Sequence, residues 1–230
     1  MHELRVPQLI MFDLDGTLAD TACQLGHAVN EALKAVGYPV ISMERLRSYI
    51  GNGAALLVAR ALAGRRDIAL TDVDEKLLSD ARNVFNEAYL SCCDCKDCIY
   101  PGVFTTLSSL KSLGIKLAVV TNKPHRFIEP VLAPSGLLDC FDYWLGSEII
   151  SEKKPDPAPL NYVASMLNVN VYDSWMVGDS INDVQAAVNT GIPGIAVTYG
   201  YNQGIDFRKA GASRIIDRFS DISEIIRELK

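Results

Sequence analysis

No apolar run in this 230-residue chain approaches the roughly 20 residues that a membrane-spanning helix needs, so no membrane span is expected. The opening segment MHELRVPQL has no basic stretch followed by an apolar one, which argues against a secretory signal. Positive charge is scarce and scattered: 22 Lys and Arg stand against 28 Asp and Glu, for a formal charge of −6. Without a clustered basic face, a nucleic-acid partner is not expected. Histidine is rarer still, and His2, His27 and His125 are too dispersed to form a site. No internal repeat or low-complexity segment is visible. What remains is the profile of a soluble, cytoplasmic protein.

Cysteine is uncommon except in one place. Cys23 and Cys140 stand alone, while Cys92, Cys93, Cys95 and Cys98 crowd into SCCDCKDC. In a chain this long, with 49% hydrophobic residues, they do not read as a secreted disulfide framework. Cys92-x-x-Cys95 and Cys95-x-x-Cys98 share a residue, so they are not two independent chelating pairs. Four thiolates so close together would need a tight backbone wrap to hold zinc tetrahedrally. The cluster is expected to be incidental, with redox sensitivity and metal binding as the alternatives.

The apolar content suffices for one large domain or a domain with an insert. Short Val/Ile/Leu-rich runs recur at 9–14, 116–122, 142–147, 174–180 and 194–200, with a weaker one at 213–217. Continuous runs of this length predict parallel strands buried on both faces. Helical patterns lie between them. One is FTTLSSLKSLG, apolar at Phe104, Leu107, Leu110 and Leu113 and closed by Gly114. Alternating strands and helices predict an α/β fold with a doubly wound, Rossmann-like parallel sheet.

The alternation breaks between about residues 19 and 89. Here only helical patterns occur (TACQLGHAVNEALKAVG, GNGAALLVARALAG and DEKLLSDARNVFNEAYL), separated near Gly37 and Gly64. The expected organisation is therefore an α/β core from 1–18 and 90–230, with a helical cap, 19–89, inserted after the first strand.

Ligands in open α/β sheets bind at the carboxyl ends of the strands. The first strand delivers Asp13 and Asp15, and the second Thr121 and Asn122. The stretch after the third delivers Lys153 and Lys154, and the fourth Asp179 and Asp183. Neighbouring carboxylates repel unless a cation lies between them. Four acids, a hydroxyl and a lysine at one edge suit phosphoryl transfer through a covalent aspartyl phosphate, with Mg²⁺ holding the acids together. Plainer readings exist for each residue. The acids of DLDGT suit a turn. Asn122 suits a helix cap before Pro124. Asp183, three residues after Ser180, suits a capping box as well as a supporting role. Gly51–Gly53 suits a turn between helices.

The segments DLDGTLAD, VVTN, KKPDPAP and VGDSIND resemble, in order, the four motifs of the haloacid dehalogenase-like phosphatase superfamily. YPGV, VVTNKP, KKPDPAPL, TYGYNQG and the stretch YIGNGAALLVARAL are similar to its phosphoglycolate phosphatase group. The resemblance implies Asp13 as nucleophile and Mg²⁺ ligand. It implies Asp15 as acid and base, with its backbone carbonyl on the metal. Asp179 would be a further ligand, and Asp183 would support the metal from outside the ligand set. Thr121, Asn122 and Lys154 would bind the phosphoryl group, Lys154 rather than Lys153 because it directly precedes Pro155. Gly51, Asn52 and Gly53 would face the substrate from the cap. The implied reaction is Mg²⁺-dependent hydrolysis of a small phosphorylated metabolite, foremost 2-phosphoglycolate to glycolate and phosphate.

Asp15 favours phosphoester over carbon–halogen cleavage, since the superfamily's dehalogenases lack an acid there. Alternatives are another small phosphate or pyrophosphate, or a phosphosugar mutase. A Schiff-base phosphonate hydrolase would need a cap lysine, for which Lys34 and Lys76 are candidates without a motif. A non-catalytic binding protein is disfavoured by the intact Asp13/Asp15 pair.

Overall fold

The computed structural model describes residues 4–94, 96–202 and 204–230; His2, Cys95 and Gln203 lie outside the described residues. Each strand expected from the sequence is present: β1 (Leu9–Phe12), β2 (Lys116–Pro124), β3 (Tyr143–Ser147), β4 (Ser174–Gly178), β5 (Gly194–Val197) and β6 (Arg214–Ile216). They form one sheet in the order β3-β2-β1-β4-β5-β6, with every pair parallel.

The helices are α1 (Ala22–Ala35), α2 (Met43–Arg47), α3 (Ala54–Ala63), α4 (Glu75–Leu90), α5 (Val103–Ser112), α6 (Ile128–Leu132), α7 (Ala158–Met166), α8 (Ile181–Thr190), α9 (Phe207–Ala210) and α10 (Asp221–Glu228). Among the described residues, no helix is long and apolar enough to cross a membrane.

Strand β1 is fully buried, and its alternation divides the core. Leu9 and Met11 join Ala118, Val120 and Met176 against Leu160 and Val163 of α7 and Ala187 of α8. Ile10 and Phe12 join Val119 and Val177 against Leu107 and Leu110 of α5 and Ile222 and Ile226 of α10.

Helix α5 departs from its expected apolar stripe. Its buried residues are Val103, Thr106, Leu107 and Leu110, whereas Phe104 and Leu113 are 53% and 44% exposed. The phase is set by Val103 at the first helical position, from which 106, 107 and 110 follow on one face. Leu113 is already the C-cap.

Residues 19–89 hold α1 to α4 and no strand among the described residues. The three predicted helices are present. The fourth, α2, is five residues long and capped by Ser42, whose side chain accepts from Arg45 N; so short a helix leaves no periodicity in the sequence. Ala28, Ala32 and Leu33 of α1 and Ala81, Phe85 and Tyr89 of α4 belong to one buried cluster. Ala19 bridges to both Asp15 and Ile99, and Asp20 N donates to Cys98 O at 2.7 Å. The chain thus leaves the sheet and returns to it at the same place, over the end of β1.

Candidate active site

From β1 the chain steps outward through β2 to β3, then returns to the other side of β1 for β4, β5 and β6. Such a reversal opens a crevice at the carboxyl ends of the strands flanking the switch. Asp13 lies at that point, its N–H donating to Val177 O of β4 at 2.9 Å. The chain then turns sharply, with Leu14 O accepting from Leu18 N and Ala19 N. Gly16 (φ +87°) allows the turn, and a side chain there would collide with the Asp179 carboxylate.

Lys154 meets this edge from the loop after β3. It is 3% exposed, and its Nζ donates to Val120 O and Asp183 Oδ1, both at 2.6 Å. The same ammonium lies 3.1 Å from Asp13 Oδ1. That contact is an ion pair without hydrogen-bond alignment, so Asp13 Oδ1 is buried with no hydrogen bond aimed at it. Asp179 Oδ2 accepts from Tyr201 N at 2.6 Å, and its Oδ1 accepts from Thr17 Oγ1 at 3.2 Å.

Asp183 closes a capping box on Ser180: its Oδ2 accepts from Ser180 N at 3.0 Å and Ser180 Oγ at 2.6 Å. Since Oδ1 holds Lys154, Asp183 both caps α8 and anchors the lysine. Asn122 does not cap a helix. It lies within β2, and its Nδ2 donates to Lys154 O at 2.9 Å, fixing the lysine's loop.

Most of these residues border a cavity that opens to solvent; Asp179 is not in its lining. Asp13, Asp15, Thr121, Asn122, Lys154 and Asp183 line it from the sheet edge, and Gly51 and Gly53 from the helical segment. Asn52 is not among the lining residues, and neither is Lys153. Asn182 Nδ2 donates to Gly51 O at 3.0 Å, tying the loop to α8. Gly53 (φ +86°, ψ 166°) sits so close to β2 that a Cβ would lie 2.8 Å from Asn122 O. Gly53→Ala is therefore expected to destabilise the protein by roughly 1 to 3 kcal/mol, read as a lower urea midpoint. An unchanged midpoint would mean that this loop does not rest on β2.

The sequence reading missed Lys123. It is 4% exposed, and its Nζ lies 2.8 and 3.0 Å from the two Asp15 oxygens and 2.7 Å from the Tyr89 hydroxyl. A signal existed: β2 runs on to Pro124 rather than ending at Asn122, and alternation puts Thr121 and Lys123 on the same face. Thr21, also unforeseen, donates its hydroxyl to Asp15 Oδ1 at 2.6 Å. Lys34 and Lys76 are exposed and paired with Glu31 and Asp80; neither lines the cavity.

The charges are poorly balanced. Burial pushes the Asp13 carboxyl above its ordinary value; Lys154 opposes this and Asp183 adds to it. Burial, then Asp13 and Asp183, push Asp179 well above the ordinary range. Lys154 is pushed the other way by burial, yet the two carboxylates outweigh that and raise it. Asp13, Asp179 and Asp183 each bring an oxygen within 4.8 Å of the others. Together with Asp13 Oδ1, which receives no aligned hydrogen bond, this oxygen-only donor set fits a hard divalent cation. Among the described residues no cysteine belongs to such a group: Cys93 and Cys98 are buried, and Cys92 is half-buried.

The haloacid dehalogenase-like hydrolase family model matches residues 10–197. A phosphoglycolate phosphatase of Psychrobacter arcticus is 39% identical over 219 residues, 95% of each chain. That of Pseudomonas putida is 42% identical over 212 residues, covering 92% of this chain and 77% of its own. The crystal structure of a predicted phosphoglycolate phosphatase from Haemophilus somnus 129pt superposes with a TM-score of 0.87 at 35% identity, over 97% of this chain and 99% of that one. With the matched model spanning all but the last strand of a sheet that carries its acids at the switch point, the chain belongs to the haloacid dehalogenase-like hydrolase family.

Proposed function

We propose that the protein is a Mg²⁺-dependent phosphatase that hydrolyses 2-phosphoglycolate to glycolate and phosphate. The observation that carries this reading is the convergence of Asp13, Asp15 and Lys154 on one cavity. The substrate follows from relatives that bear the name phosphoglycolate phosphatase.

Asp13 attacks phosphorus with a carboxylate oxygen. The bond from phosphorus to the glycolate oxygen breaks, and Asp15 gives its proton to that leaving oxygen. Asp15 then takes a proton from water, whose oxygen attacks phosphorus. The acyl-phosphate P–O bond breaks, returning the Asp13 carboxylate and releasing phosphate. Lys154 and the Thr121 hydroxyl hold the phosphoryl oxygens, and Asn122 keeps Lys154 in place by its bond to the lysine carbonyl. A divalent cation held by Asp13, Asp179 and the Asp15 carbonyl would neutralise the acids and draw charge from the phosphoryl oxygens. Asp183 braces Lys154 beside that site.

Residues 19–89 act in this reading as a cap that encloses a small substrate and keeps bulk water out of the first step. The test is phosphate release from 2-phosphoglycolate, with and without Mg²⁺, beside sugar phosphates, nucleotides and pyrophosphate. A Mg²⁺-dependent preference for 2-phosphoglycolate is expected. Preference for another ester would keep the chemistry and discard the substrate, and isomerisation of a sugar phosphate would make the protein a mutase. No release from any compound by folded protein would overturn the proposal.

A further inference from the structure

Two cationic side chains line the cavity, Lys154 and Lys123. Lys154 sits between two carboxylates: its ammonium donates to Val120 O and Asp183 and lies 3.1 Å from Asp13 Oδ1. Lys123 has its charge set against one carboxylate. Its Nζ reaches both oxygens of one carboxylate, Asp15, and the Tyr89 oxygen. Those three acceptors match its three N–H groups. Once Asp15 carries the proton that it gives to the leaving oxygen, though, the ammonium has no other carboxylate within ion-pair distance among the described residues and can turn to one on the substrate. Tyr89, which is fully buried, accepts from Lys123, so its own O–H proton remains to be donated. Much of the remaining wall is apolar: Leu25, Ile50, Leu57, Phe85, Pro124 and Phe127. A charge placed against those side chains would be desolvated without compensation.

We infer that Lys123 and the Tyr89 hydroxyl receive the substrate's second anionic group, a carboxylate, and thereby set the preference for carboxylate-bearing phosphomonoesters. This rests on the phosphatase reading above. Connectivity supports it. In 2-phosphoglycolate the carboxylate is attached to the carbon that bears the leaving oxygen. The group that binds the carboxylate must therefore adjoin the group that protonates that oxygen, and Lys123 touches Asp15 directly.

The experiment compares kcat/KM for 2-phosphoglycolate and for ethyl phosphate, which lacks the carboxylate, in the wild type, Lys123→Met, Lys123→Arg and Tyr89→Phe. In Lys123→Met the preference for 2-phosphoglycolate is expected to fall roughly 100-fold, from the loss of a buried charge partner. In Tyr89→Phe it is expected to fall by about 10-fold, from the loss of one hydrogen bond. Lys123→Arg, which keeps the cation, restores part of the preference. Because Lys123 also holds Asp15, both substrates slow in Lys123→Met, and the ratio is what separates the roles. Equal losses on the two substrates, or an unchanged ratio in Tyr89→Phe, would overturn the inference and leave Lys123 as a positioning residue for Asp15. Should Lys123→Met not fold, Tyr89→Phe decides by the same ratio. A wild type active on both esters without preference would overturn this inference and the expected preference for 2-phosphoglycolate but leave the phosphatase chemistry standing, whereas one inactive on every ester would overturn the phosphatase reading with it.

Discussion

Asp13→Asn lowers kcat for phosphate release by roughly 10⁴-fold or more, the scale of loss when an enzyme's nucleophile is removed. An amide keeps the shape of the carboxylate but cannot attack phosphorus. The substitution is also expected to leave the protein at least as stable. The Asp13 carboxyl is pushed up by burial and by Asp183, so its charged form is held in the fold against its preference, with Lys154 compensating only in part. Replacing it by a neutral side chain relieves that repulsion. The urea midpoint should stay level or rise, measured beside the rate. A folded Asp13→Asn protein with undiminished turnover would rule out an aspartyl phosphate at this position.

Lys154→Met acts on both rate and stability. The ammonium is all but inaccessible and has carboxylates of Asp13 and Asp183 on it. Methionine fills similar space but leaves those acids, and the Val120 carbonyl, without their partner. Breaking a buried pair from one side typically costs about 3 to 5 kcal/mol, and the same loss is expected here as a lowered urea midpoint in metal-free buffer. Mg²⁺ should recover part of it, because a cation bound only by the folded state stabilises that state. If Lys154 also holds the phosphoryl group as proposed, kcat falls by roughly 10²- to 10³-fold as well. A midpoint within about 0.5 kcal/mol of wild type, the range of an ordinary surface substitution, would show that Lys154 does not neutralise these acids.

Five strands were legible because a strand buried on both faces needs an unbroken apolar run; β6, exposed at Arg214 and Ile215, gave the weaker signal. Asp13, Asp15 and Asp179 were legible for the complementary reason. An acid at the end of an apolar run is costly to bury, so its presence there asks for a partner. The missing strand signal between residues 19 and 89 agrees with the helices α1 to α4 found between β1 and β2.

Other features depend on which distant residues meet. Lys153 and Lys154 look alike in sequence, but only one sits between Asp13 and Asp183. Lys123 reads as a lysine just past a strand until folding brings Asp15, 108 positions away, and Tyr89, 34 positions away, onto its ammonium. The buried face of α5 turned on whether the helix began at Val103 or Phe104, which periodicity alone does not decide. Nor does the sequence reveal that the Gly51–Gly53 loop lies against Asn122 and Asn182. Local sequence dictates which elements form, because propensity and burial pattern act over a few neighbouring residues. Partners for buried charges come from packing between elements far apart in the chain, and only the tertiary structure decides those.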